Sequence, residues 1–192
     1  MAAHLIRRGF LASVSAILLS ACLTPASPVA QQPAPDAGPA PLTRLFLVRH
    51  AEKETGPDPV LTPAGEARAA ALAERLAAEG VTEIWSTQTR RTLSTARPLA
   101  TGRGLTVQTY DPAALPAFAD QLAETPGVKL VIGHSNTTDA LAALIGADPG
   151  PPIDDASEFD RLYVITISEG LQISSTIERY GPSSADRTQP RP

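Results

Sequence analysis

From residue 43 onward, short apolar runs alternate with segments that carry helix-start and helix-stop signals, and this alternation leaves few architectures open. Thr43 to Val48 (TRLFLV) has the pattern of a strand buried on both faces. Thr62 as N-cap, Pro63 at the first helical position and Gly80 past the end predict a helix. Ala69, Leu72 and Leu76 share its apolar face, while Glu66, Arg68, Glu74 and Arg75 keep it soluble. Glu83 to Ser86 reads as a strand, Arg90 to Ala100 as a helix and Leu105 to Thr109 as a third strand. Leu115, Phe118 and Leu122 mark an amphipathic helix, followed by an apolar strand from Lys129 to Gly133 and a helix from about Thr137 to Ile145. Tyr163 to Ser168 and Leu171 to Ile177 read as two strands joined at Glu169-Gly170, a hairpin. The reading is an α/β chain: a three-layer α/β/α sandwich with a mostly parallel central sheet and a C-terminal antiparallel hairpin.

The ends of the chain are of another kind. Arg7 and Arg8 precede an uncharged, mostly apolar stretch, residues 9–21, that is too short to span a membrane. Residues 1–21 therefore read as a signal peptide, and Arg7-Arg8-Gly9-Phe10-Leu11 resembles a twin-arginine export signal. Leu19-Ser20-Ala21-Cys22 resembles a bacterial lipobox, with the chain's one cysteine where lipidation would require it. Residues 22–41, rich in Pro and Ala, form a tether; residues 42–181 form the domain, and residues 182–192 a disordered tail. The expected location is the cell envelope, lipid-anchored and facing the periplasm, with membrane contact only through the N-terminal lipid. Leu23 in place of a retention aspartate favours the outer membrane.

Composition removes other classes. A net charge of −4 excludes a nucleic-acid binder that relies on a basic surface. A single cysteine excludes an intramolecular disulfide and a cysteine zinc cluster. Gly102-Arg103-Gly104 reads as a short turn before a strand, not a nucleotide-cradling loop, so no cofactor is expected.

Beyond residue 21 the chain has two histidines, His50 and His134, and each directly ends an apolar strand. Ligands of open α/β sheets bind outside the carboxyl ends of the strands, so the two can meet in one site. Here the sequence resembles the histidine phosphatase superfamily, the phosphoglycerate-mutase-like proteins. Val48-Arg49-His50-Ala51-Glu52 is similar to that family's signature, with Ala51 where glycine is usual. Leu61-Thr62-Pro63-Ala64-Gly65, then Ser86, Arg91, Thr95 and Ala96, then Gly133-His134-Ser135 follow in the family's order.

The resemblance implies roles. His50 is the nucleophile that becomes a phosphohistidine, since a neutral imidazole nitrogen attacks without first losing a proton. Arg49 and Arg91 hold the equatorial phosphoryl oxygens with forked, always-charged groups, and His134 is a further donor. Ser135 and Asn136 start the following helix, whose N-terminus favours an anion. The proton donor to the leaving group is Asp111, whose competing role is to cap the helix beginning at Pro112; Glu52 is the alternative acid. Lys53 reads as a solvated loop charge.

Only 42 residues separate Arg91 from His134, too few for the lid that mutases of this family carry, which favours a lid-less phosphatase. Lys53, Thr55 and Ser135 depart from the phytase-like pattern. The expected activity is metal-independent hydrolysis of a small phosphomonoester outside the inner membrane by an exported, lipid-anchored enzyme. The alternative is a weak or inactive binder of phosphorylated ligands on the same fold. A metal-dependent hydrolase is disfavoured, because two arginines beside the histidines repel a cation. If Cys22 is the lipidated residue, Cys22→Ser should abolish incorporation of labelled fatty acid into the protein and release it from the membrane fraction.

Overall fold

Strand β1 (Thr43–Arg49) is fully apolar at its centre, and the sheet is assembled around it. The computed structural model describes residues 42–168, 170 and 172–184. The chain divides into Met1–Ala37 and Gly38–Pro192, and the described residues belong to the second unit. The expected signal peptide, the tether, Cys22 and residues 185–192 lie outside the described residues.

After β1 come α1 (Pro63–Leu76), β2 (Glu83–Ser86), α2 (Arg90–Arg103), β3 (Val107–Thr109), a 3-10 turn (Pro112–Ala114), α3 (Leu115–Glu124), β4 (Gly127–Gly133), α4 (Ser135–Ile145), β5 (Arg161–Ser168) and β6 (Gln172–Arg179). The six strands lie in the order β3-β2-β4-β1-β5-β6. The pairs β3–β2, β2–β4 and β4–β1 are parallel, while β5 runs antiparallel to both β1 and β6.

Alternation along the strands builds two cores. Leu45 and Leu47 of β1, Val131 of β4 and Tyr163 and Ile165 of β5 face α3 and α4, packing on Phe118, Leu122, Leu141 and Ile145. Phe46, Val48, Leu130, Ile132 and Leu162 face the other way, onto Leu72 and Leu76 of α1 and Ala96 and Leu99 of α2. This is the three-layer α/β/α sandwich with a mostly parallel sheet and a terminal antiparallel hairpin that the periodicity predicts.

Boundaries differ where local chemistry intervenes. Helix α1 stops at Leu76, and residues 77–80 form a turn that Gly80 closes at φ 71°. Helix α2 runs on through Gly102 and Arg103, and Gly104 ends it in the left-handed conformation; the expected glycine turn is mostly helix. Helix α4 begins at Ser135, directly after His134, because the Thr137 hydroxyl accepts from the His134 amide at 2.9 Å. Lys129 is buried, yet its ammonium is met by the Leu122 and Thr125 carbonyls at the end of α3.

Two expectations are corrected. Arg68 does not solubilise α1: it is 1% exposed and donates to both oxygens of Glu52 at 3.0 Å. Its terminal nitrogens also reach the Tyr180 carbonyl at 3.0 Å and the Pro182 carbonyl at 2.8 Å. The chain therefore stays packed past residue 181, and Ser184 is buried against Phe159 and Asp160. Removing one member of a buried ion pair costs about 3–5 kcal/mol. Arg68→Met should lose stability on that scale in urea unfolding, and Arg68→Lys should recover part of it.

Candidate active site

The register of β1 on β4 sets the site. Arg49 lies opposite Gly133, so the next residue of each strand, His50 and His134, leaves the sheet beside the other at its carboxyl edge. The His50 amide extends the ladder by donating to the Gly133 carbonyl at 2.9 Å. The two imidazole centroids are 5.5 Å apart in an edge-on arrangement.

The hydrogen bonds define both tautomers. His50 Nδ1 lies 2.8 Å from the Ala51 carbonyl oxygen, which can only accept, so Nδ1 carries the proton and Nε2 keeps its lone pair. Arg91 Nη2 lies 3.3 Å from His134 Nδ1 and can only donate. His134 Nδ1 therefore accepts, and Nε2–H donates to the Thr87 hydroxyl at 3.0 Å. The Thr87 hydroxyl in turn donates to the Thr92 hydroxyl. With both nitrogens engaged, His134 must exchange a partner before it can donate to a ligand.

Burial pushes His50 down to about 3, helped by the charges of Arg49 and Arg91 and opposed by the bond to Ala51. Burial, then Arg91 and Arg49, push His134 down to about 4. Both rings are neutral at physiological pH, as a nitrogen nucleophile requires.

Arg49 is buried and tightly held. Nη1 donates to the carbonyls of Asp154 and Glu158 at 3.1 and 3.0 Å. Nη2 donates to the Asp155 carbonyl at 2.8 Å and the Asp155 carboxylate at 2.6 Å. The Phe159 ring lies beneath, its centre 4.2 Å from the guanidinium carbon. The Nε atoms of Arg49 and of Arg91 are buried without a hydrogen-bond partner. Buried donors of this kind are rarely left unmade, and these two belong to the two cations beside the histidines.

Arg91 is half-buried toward His134, whereas Arg90 is exposed. Arg91 Nη1 lies 3.9 Å from the Asp58 carboxylate, which also accepts from the Arg90 amide at 2.8 Å. Asp58 has a left-handed backbone, φ 42°. The Ala51 amide donates to Thr95 at 3.0 Å, and Thr95 donates to the Arg91 carbonyl, tying the His50 loop to α2. Ala51 is fully buried with Leu61 and Ala69, so its methyl is accommodated. Gly65 is required for close approach, since a Cβ there would stand 2.1 Å from the Glu52 carbonyl oxygen.

The remaining candidates fall as follows. Ser135 Oγ donates to the Asp155 carboxylate at 2.6 Å, and Asn136 is exposed in the first turn of α4. Asp111 caps the 3-10 turn by accepting from the Ala113 amide at 2.9 Å. It lines a separate hollow of about 270 Å³ with Trp85, Tyr110 and Phe118. Glu52 is engaged by Arg68. Lys53 is exposed. Sequence reasoning missed Thr87, Asp58 and Asp155. Thr87 could have been found as the residue that follows β2, at the same sheet edge as the histidines. Among the described residues, no group of three or more His, Cys, Asp or Glu is arranged to hold a metal ion.

Residues 45–112 match the model of the histidine phosphatase superfamily (branch 1). The architecture matches solved structures of that group. The fold is that of the histidine phosphatases. A mycobacterial glucosyl-3-phosphoglycerate phosphatase shares 17% identity and a TM-score of 0.56, over 74% of this chain and 100% of that one. The protein histidine phosphatase SixA complexed with tungstate shares 17% identity and a TM-score of 0.56, over 75% and 99%. A chain from Agrobacterium tumefaciens assigned as a phosphohistidine phosphatase SixA shares 26% identity and a TM-score of 0.51, over 64% and 90%. No curated protein matches the sequence.

The low values of both histidines have a readout. Each lies below the ordinary 6.5, so as pH falls the unfolded chain takes up protons first. The stability due to burying neutral rings is complete above about 6.5 and is lost as pH falls toward the folded values. Nitrogen NMR at about pH 5.5 should find both rings neutral, His50 protonated on Nδ1 and His134 on Nε2. A charged ring at that pH would contradict the assignment.

Proposed function

We propose that the chain is a phosphatase that hydrolyses a phosphomonoester through a phosphohistidine on His50. The observation that carries this reading is one juxtaposition. A His50 ring with a free Nε2 lone pair feels the charges of two arginines, Arg49 and Arg91, whose buried Nε–H groups have no partner. A phosphoryl group supplies what both lack, an electrophilic phosphorus for the nitrogen and anionic oxygens for the donors.

In this reading His50 Nε2 attacks phosphorus in line while the bond to the ester oxygen breaks. Arg49 and Arg91 stabilise the charge on the equatorial oxygens. The departing alkoxide takes a proton from water, because Asp111, the acid expected for that role, caps the 3-10 turn and lines a separate hollow. Glu52, held by Arg68, anchors the His50 loop rather than donating. Water then attacks the phosphohistidine, the N–P bond breaks, and inorganic phosphate leaves with His50 neutral again. Between α2 and β4 the chain forms β3, the 3-10 turn and α3, with no segment left over for a lid, which supports hydrolysis over phosphoryl retention. The similar solved structures are named as phosphatases, and one holds tungstate, a tetrahedral oxyanion.

The proposal extends to location. The lipobox-like Leu19-Ser20-Ala21-Cys22 and the Pro-rich residues 22–41 support export, lipidation of Cys22 and a tethered domain facing the periplasm. The substrate class is then a small phosphomonoester outside the inner membrane, with neither a cofactor nor a nucleic acid taking part. No helix among the described residues is long and apolar enough to cross a membrane.

Hydrolysis of p-nitrophenyl phosphate in excess EDTA tests the mechanism. His50→Ala should lower kcat by roughly 10³-fold or more, and Arg91→Ala by roughly 10²-fold. Activity unchanged in His50→Ala would sink the mechanism. Folded protein that binds phosphate without turnover would instead favour the binding-only reading.

A further inference from the structure

We infer that Asp155 sets the affinity of this site for phosphate by placing its own carboxylate where a phosphoryl oxygen would sit, between Arg49 and Ser135. The inference rests on the phosphatase reading above and adds to it a residue that competes with the substrate.

The geometry separates two kinds of contact around Arg49. Three of the four bonds to its terminal nitrogens come from backbone carbonyls of Asp154, Asp155 and Glu158. These fix the guanidinium and cannot leave without moving the loop. The fourth comes from Asp155 Oδ1 at 2.6 Å, and the same oxygen accepts from Ser135 Oγ at 2.6 Å. One anionic oxygen thus bridges a buried cation and the hydroxyl at the first residue of α4, the end of a helix that favours an anion. The Arg49 side chain is 2% exposed while that of Asp155 is 77% exposed. The cation is fixed, and the carboxylate is free to turn into water.

The surroundings point the same way. The bond from Ser135 holds the Asp155 carboxyl below the usual carboxylate range, with Arg49, His50 and Lys53 adding to the effect, so it is an anion at neutral pH. Two anions do not share one bridging position, because a carboxylate and a phosphoryl oxygen in contact repel. Phosphate therefore binds as Asp155 swings out, and product phosphate leaves as Asp155 returns. The backbone bonds keep Arg49 in place through the exchange, so the site stays preorganised while its affinity stays low.

The opposite role, in which the carboxylate merely positions Arg49, makes the opposite forecast. The test is the dissociation constant of inorganic phosphate and of tungstate, measured by calorimetry on the full chain as wild type, Asp155→Asn and Asp155→Ala. The asparagine keeps the size and an oxygen acceptor but loses the charge, so the exchange should become easier and both anions should bind about tenfold more tightly. The alanine removes the competitor and should tighten binding at least as much. In turnover, both variants should show a lower KM and stronger inhibition by phosphate, with kcat reduced where product release becomes limiting. Unchanged or weaker binding in Asp155→Asn would overturn the inference and leave the phosphatase reading intact. If the wild type and both variants bind neither anion, the phosphatase reading itself fails, and this inference fails with it.

Discussion

The parallel pairing of β1 with β4 is the constraint on which the rest of the molecule depends. It puts two neighbouring strand ends, Arg49-His50 and Gly133-His134, in register at one sheet edge. Everything nearby serves that pairing. A Cβ on Gly133 would stand 2.9 Å from the hydroxyls of Thr137, Thr138 and Tyr110, so only glycine lets α4 start immediately beyond the strand. Thr138 in turn donates back to the His134 carbonyl at 2.8 Å. The two cores on either side lock the register, because a slip by one residue would turn Leu45 and Leu47 toward α1 and α2.

Charge is handled locally, against the sign of the whole chain. Arg49 donates to three backbone carbonyls, which do not titrate, so its position does not depend on the protonation of a single acid. Burial, and after it the charges of the two arginines, hold the histidines in their neutral form. A cation-rich pocket and an uncharged nucleophile are thus one arrangement: the groups that attract the anion also keep a proton off the nitrogen that would attack it.

Much of this was legible in the sequence because it is local. Strand periodicity, the Thr62-Pro63 start and the placement of each histidine at a strand end depend on neighbouring residues. Arg91 is the arginine that the resemblance implies by its spacing from Ser86 and to Thr95, and the structure puts it on the side of His134. The cap at Asp111 was readable from the proline that follows it. Other parts were not, since they are made by chain far away. Asp155 reaches Arg49 from 106 residues downstream, and nothing in GPPIDDASEF indicates which acid turns inward. Arg68 sits among charged neighbours on α1, and Glu52 together with the carbonyls of Tyr180 and Pro182 makes its burial tolerable.

That last contact bears on how the molecule is made. The Glu52–Arg68 pair stands two residues beyond His50, yet the oxygens that complete it belong to residues 180 and 182. A nascent chain still being synthesised holds the histidine, both arginines and the acid, but it lacks the acceptors that make their burial favourable. The brace beneath the His50 loop is thus closed by the last packed segment among the described residues, so the nucleophile's end of the molecule is secured by residues more than a hundred positions away.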